Sequence, residues 1–224
     1  MTETTPTQHP CLVVFDLDGT ITRRDTLFGF VVGFGLRHRL RIVGLVRVLP
    51  ELLRFALGRS NHGRLKSALI KSVMTGCSRQ VVSQWTRDYI PALLRRGVFF
   101  NALREIEGHR AAGDHLVLMS ATVDLYVPEL AQALGFDEWI CTEVRWQGDK
   151  LDGSLISANV RDEEKAHRLR ELMLRFPGRQ VVAYGNSLPD LPHLRLAHRR
   201  VLINASAKLQ QAAAGLIVDY RHWR

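Results

Sequence analysis

Cysteine is scarce in this sequence: Cys11, Cys77 and Cys141 are the only three among 224 residues. They are too few and too scattered for a disulfide framework or a zinc knuckle, which points to a reducing, cytoplasmic setting. Long uncharged apolar runs are missing as well. The longest, Thr26 to Leu36, is closed by Arg37, Arg39 and Arg41 and falls short of the ~18 residues a membrane-spanning helix needs. The first ten residues are polar, with neither a basic region nor an apolar stretch before Cys11. No secretory leader is expected there, and residues 1–10 read as a disordered tail. Acidic residues are also short in supply, Asp+Glu 22 against Lys+Arg 31, for a formal charge of +9.

What is present is an ordinary globular composition, 46% hydrophobic and 24% charged. That much apolar surface excludes disorder of the whole chain, and the length suits one core domain carrying a sizeable insertion. The basic excess is local. Thr26 to Arg110 holds 15 Lys+Arg and 4 acids, a balance of +11, so the remainder carries 9 − 11 = −2. This window has few strand signals and reads as helical, with breaks at Pro50, at Gly58 to Gly63 and near Gly76.

The flanks read differently. Cys11 to Phe15 is a short apolar run ending in Asp16, the pattern of a buried parallel strand. Similar runs recur at Leu116 to Met119, Gln180 to Tyr184 and Arg200 to Ile203. Helical patterns lie between them, over Val123 to Leu134 and over Glu163 to Phe176 with Asp162 as N-cap. Trp139 to Trp146 and Leu151 to Ile156 are expected to form a hairpin across Gln147 to Lys150. Strands alternating with helices predict an α/β fold with a doubly wound, Rossmann-like parallel sheet, formed by residues 11–25 and 111–224. Residues 26–110 would then be a helical cap inserted after the first strand.

Four positions carry chemistry, each near the carboxyl end of an expected strand or at a helix start, where open parallel sheets bind ligands. The first is Asp16-Leu17-Asp18-Gly19-Thr20. Two carboxylates at i and i+2, leaving a strand into a glycine turn, can divide the work of nucleophile or metal ligand and of proton donor and acceptor. An acidic turn before glycine is the plainer alternative. The second is Ser120, whose hydroxyl could hold a phosphate oxygen with neighbouring backbone N–H groups or simply cap a helix. The third is Lys165, which alone would pass for a solvated lysine beside Glu163 and Glu164. The fourth is Gly185 to Asp190, where Asn186 and Asp190 offer hard oxygen donors for Mg²⁺.

In kind and in order these four resemble the motifs of the haloacid-dehalogenase-type phosphohydrolases. The insertion and the form Tyr184-Gly185-Asn186-Ser187 followed by Asp190-Leu191-Pro192 are similar to the phosphoserine-phosphatase-like subgroup (subfamily IB). The arginine-rich apolar insertion is loosely similar to that of the type C phosphatidylglycerophosphate phosphatases. The resemblance implies Asp16 as nucleophile, Asp18 as general acid and base, and Thr20 as a brace for the loop. It implies Ser120, Ala121 and Lys165 around the phosphoryl oxygens, and Mg²⁺ held by Asp16, Asp18, Asn186 and Asp190. Asn186 stands where many relatives have an aspartate, which removes one negative charge and should raise the Mg²⁺ requirement. The substrate implied is a small or lipid-linked phosphate monoester. The alternative is a catalytically weak relative that binds anions or membrane surfaces.

For the +11 window four readings compete: a solvated amphipathic cap, a cleft that guides anionic esters, peripheral contact with an anionic membrane at its inner face, and nucleic-acid binding. Phe28, Phe30, Phe34, Leu45, Leu49 and Phe55 supply apolar surface for the third, and would equally suit a packed core. No recognition-helix pattern, zinc spacing or aromatic-basic platform supports the fourth. His38, His62, His109, His115, His167, His193 and His198 show no metal spacing, and Trp85, Trp139, Trp146 and Trp223 read as packing residues.

Overall fold

The computed structural model describes residues 10–224; the expected tail lies, but for Pro10, outside the described residues. Strand β1 (Leu12–Phe15) leads into α1 (Thr26–Arg37), a 3-10 segment over Arg39–Val48, α2 (Leu49–Ala56), α3 (His62–Met74), α4 (Arg79–Arg96) and α5 (Phe100–Ala111). Then come β2 (His115–Val123), α6 (Val127–Leu134), β3 (Glu138–Thr142), β4 (Val144–Gln147), β5 (Lys150–Leu155) and α7 (Glu163–Arg175). The chain ends through β6 (Val181–Gly185), a 3-10 turn at Leu188–Asp190, α8 (Leu191–Leu194), β7 (Arg199–Ile203), α9 (Ala207–Ala212) and β8 (Asp219–Arg221).

Six strands form one sheet in the order β3-β2-β1-β6-β7-β8, and every pairing in it is parallel. From β1 the chain winds outward to β2 and β3, then returns to the other side of β1 for β6, β7 and β8. The switch point therefore lies between β1 and β6. Alternate residues serve opposite faces. Val13, Phe15, Leu116, Leu118 and Tyr184 join one buried cluster with Phe30, Phe34, Ile70 and Ile106 from the intervening helices. Leu12, Val14, Val117, Met119 and Ala183 join a second with Leu169, Leu172, Leu194 and Leu209. Both faces are covered, which is why the strands read as unbroken apolar runs.

Caps set the helix starts. Asp25 Oδ1 accepts from Phe28 N at 2.8 Å ahead of α1, and Asn61 Oδ1 from Arg64 N at 2.9 Å ahead of α3. Pro50 opens α2 from its first turn rather than ending a helix, as its missing N–H allows. Among the described residues no helix is long and apolar enough to cross a membrane.

Two sequence expectations need correction. The helix expected from Val123 begins at Val127, because β2 runs on through an irregularity between Met119 and Val123. Trp139 to Trp146 is not one hairpin arm. Glu138–Thr142 joins the main sheet beside β2, and only Val144–Gln147 pairs antiparallel with β5. That hairpin then packs on α3 and the loop after it: Ser67 Oγ donates to Gly153 O at 3.0 Å, and Gly76 and Cys77 exchange backbone bonds with Leu151. Of the two courses open to them, Phe30 and Phe34 take the packed core, buried against Trp85, Tyr89 and Tyr126.

Candidate active site

Strand register brings the chemistry together. Phe15 pairs with Leu118 on one side and Tyr184 on the other, so the residues that follow, Asp16, Met119 and Gly185, stand level where β1 and β6 end and β2 runs on. Asp16 N still donates to Tyr184 O at 3.1 Å, the last rung of the ladder. Beyond it the chain turns back through Gly19, whose φ of +84° suits glycine. A Cβ there would lie 1.9 Å from Asn186 Nδ2, so the first and fourth motifs meet in direct contact.

Lys165 is the centre of the arrangement. It is the third residue of α7, preceded by Asp162 at φ +52°, a sparsely populated conformation for a residue with a side chain. Asp162 makes no side-chain cap bond; its carbonyl instead accepts from Lys165 N at 3.1 Å. Lys165 Nζ donates to Asp16 Oδ1 at 2.6 Å and to Asp190 Oδ1 at 2.7 Å. All three side chains are buried. Thr20 Oγ1 donates to Asp16 Oδ2 at 2.9 Å. Asp190 Oδ2 accepts from Asn186 N, Ser187 N and Ser187 Oγ at 3.1, 3.0 and 2.7 Å. Both oxygens of Asp190 are thus engaged in holding Lys165 and the loop.

Burial pushes the Asp16 carboxyl upward, and Lys165 opposes it. Burial also works against ionised Asp190, but Lys165 and the Ser187 hydroxyl hold it well below the usual carboxylate range. Burial would favour neutral Lys165; Asp16 and Asp190 overcome that and keep it a cation. Asp18 differs. Burial, then Asp25 and Asp16, push its carboxyl up to about 7 against bonds from Thr26. Its Oδ1 accepts from Thr26 N at 2.8 Å and Thr26 Oγ1 at 2.7 Å, and Thr26 Oγ1 lies 2.7 Å from the buried Tyr126 hydroxyl. Burial raises both carboxyls, and what separates them is their partners: Asp16 meets the Lys165 ammonium, Asp18 the Thr26 amide and hydroxyl.

Ser120 is buried one residue past the level of Asp16 and accepts from Thr122 N at 3.1 Å. It sits within β2 and caps no helix. Ala121 O accepts from Thr142 Oγ1 at 2.9 Å and also from Lys66 Nζ. Lys66, on α3, had no place among the sequence candidates. Its ammonium donates to Asn159 Oδ1 at 2.7 Å, and burial, opposed by Asp18 and Asp25, brings its pKa down to about 8. A signal existed, since Lys66 occupies the same helical face as buried Ile70 and Val73, a place where a charge needs a partner.

Asn186 Oδ1 is buried and, among the described residues, has no hydrogen-bond partner. Such an oxygen costs free energy unless something positive meets it. It fits a hard cation beside the Asp16 carboxylate and the Asp18 carbonyl, with only one carboxylate contributing. No group of three or more His, Cys, Asp or Glu that could hold a metal occurs among the described residues, so any cation here relies on amide or carbonyl oxygen as well.

Known proteins share this plan. The family description haloacid dehalogenase-like hydrolase matches residues 13–195. Protein CicA of Caulobacter vibrioides is 33% identical over 199 residues, covering 86% of this chain and 85% of its own. A probable phosphatase of Mycobacterium tuberculosis is 24% identical, over 89% of this chain and 71% of its own. A phosphoserine phosphatase solved as a phospho-aspartyl intermediate analogue superposes with a TM-score of 0.66 at 16% identity, over 94% of this chain and 93% of that one. The chain belongs to the haloacid dehalogenase-like hydrolase family.

Proposed function

We propose that this haloacid dehalogenase-like phosphatase hydrolyses small or lipid-linked phosphate monoesters in two steps through Asp16. The observation that carries the reading is the buried Asp16–Lys165–Asp190 relay, with Asp18 two residues on in a proton-retaining environment. In the first step an Asp16 carboxylate oxygen attacks phosphorus, the ester P–O bond breaks, and the leaving alkoxide takes a proton from Asp18. In the second, water gives its proton to Asp18 and attacks phosphorus, breaking the bond to Asp16 and releasing phosphate. The fold of the phospho-aspartyl analogue structure supports the same route.

A phosphate monoester brings about two negative charges to a carboxylate, and catalysis depends on cations already in place. Lys165 supplies one and is held by Asp190, which acts as a positioning residue. Lys66 supplies a second beside Ala121. Ser120 and the Ala121 amide bind phosphoryl oxygens, and Thr20 orients Asp16. Asp16, the Asp18 carbonyl and Asn186 would hold Mg²⁺, which when bound neutralises phosphoryl charge. The helices between β1 and β2 act as the cap, together with the β4–β5 hairpin packed on α3.

Asp16→Asn tests the reading: Mg²⁺-dependent hydrolysis of p-nitrophenyl phosphate is expected to vanish with the fold intact by circular dichroism. Retained turnover would overturn the nucleophile assignment. The other reading, a weak relative that binds without turnover, draws on the missing charge at Asn186. Wild-type activity that fails to rise at any Mg²⁺ concentration would select it.

A further inference from the structure

Helix α2 has no buried residue. Leu49, Leu52, Leu53 and Leu57 all face solvent, Leu53 at 62% exposure, and the preceding 3-10 segment adds Val43 and Val46, at 68% and 63%. This ridge is built, not frayed. A Cβ on Gly44 would lie 1.9 Å from the Ser72 carbonyl oxygen, so backbone is pressed on backbone. Arg41 clamps it by donating to Val73 O at 3.0 Å and Thr75 O at 3.1 Å. The side chains opposite that contact are held outward and stay exposed among the described residues.

Charge says what could. Residues 37–59 contain Arg37, Arg39, Arg41, Arg47, Arg54 and Arg59 against one acid, Glu51, a balance of 6 − 1 = +5. Glu51 is taken up by Ser60 and Arg54. A second copy docked here would set +5 against +5. An anionic bilayer offers the complementary sign along with an acyl boundary for leucine and valine.

We propose that the Arg39–Leu57 ridge docks on an anionic lipid surface. The aliphatic side chains enter the headgroup boundary and the free arginines meet lipid phosphates. Docking also sets the site's position, because the ridge packs on α3, and α3 carries Lys66 to the Ala121 carbonyl. That last consequence rests on the phosphatase reading; the docking does not.

The test is co-sedimentation of the full chain with vesicles of phosphatidylcholine alone, or containing about 30% phosphatidylglycerol. Pelleting only with the anionic vesicles is expected, weakened about tenfold by Leu49→Ser/Leu53→Ser and, separately, by Arg39→Gln/Arg47→Gln. Both variants should hydrolyse p-nitrophenyl phosphate at the wild-type rate, which reports an intact fold. Equal binding to neutral vesicles, no binding to either, or variants that bind as wild type would overturn the proposal. So would a wild-type dimer in light scattering that Leu49→Ser/Leu53→Ser turns into monomer, since a second copy would then be the occupant. Docking with no turnover of any phosphate ester would sustain this proposal while refuting the phosphatase reading.

Discussion

The carboxyl end of the sheet and the outer ridge of the helical insert depart from ordinary folding economy in opposite ways. At the first, charged groups are buried; at the second, apolar groups are exposed. Yet the first is nearly complete in itself: Lys165, Asp16 and Asp190 satisfy one another at 2.6 and 2.7 Å, with Asn186 Oδ1 left over. The ridge is incomplete, and nothing among the described residues covers it. On the readings proposed above, each lacks a neighbour, a cation and anionic ester in one case and a surface in the other. Departures from folding rules at these two places mark where the molecule meets what it is not made of.

The largest effect should come from breaking the buried relay. Asp16→Asn is expected to lower turnover at least about a thousandfold in steady-state assays, with little change in melting. Lys165→Met should be the more damaging to the fold. It strands two buried carboxylates, and loss of about 3 kcal/mol or more is expected in urea unfolding.

Lys66 tests the border between the regions. Lys66→Met removes a costly half-buried charge, while Thr142 Oγ1 still reaches Ala121 O at 2.9 Å and Asn159 Oδ1 at 3.4 Å. Stability should rise by about 1 kcal/mol as kcat/KM for phosphate esters falls about tenfold. Wild-type stability should carry the pH signature of this group. The folded chain releases the Lys66 proton near pH 8 and the unfolded chain near 10.5. Between those values the unfolded state binds more protons, so this contribution to stability rises with pH and is absent in the variant. Denaturant midpoints from pH 7 to 10 would show it.

The smallest effect belongs to the ridge. Leu53→Ser should change stability by less than about 0.5 kcal/mol, because Leu53 has no buried contacts to lose. A loss of several kcal/mol would mean the ridge is core after all, and would dissolve the contrast.

Much of this was legible in order along the chain. Asp16 and Asp18 stood out because carboxylates directly after five apolar residues in a row have few other uses, and Gly185 to Asp190 because oxygen donors follow a second such run. Ser120 and Lys165 gained meaning only from company, and the register of β1, β2 and β6 supplies that company physically. Lys66 escaped because its partners, Ala121 and Asn159, lie 55 and 93 positions away. The break between β3 and β4 escaped for a local reason. Residues 139–146 alternate plausibly as one strand, but Glu143 N turns to Ser157 Oγ at 2.8 Å, and the sheet ends there.

The relay also dictates a timetable during synthesis. Lys165 trails Asp16 by 149 positions, and Asp190 trails Lys165 by 25. At translation speeds of about 5–20 residues per second, Asp16 waits on the order of ten seconds or more for Lys165. Through that interval β1 also lacks β6, its neighbour on one side. The three side chains can therefore meet only once Asp190 has left the ribosome, and on the proposed mechanism activity begins as a late, all-at-once event.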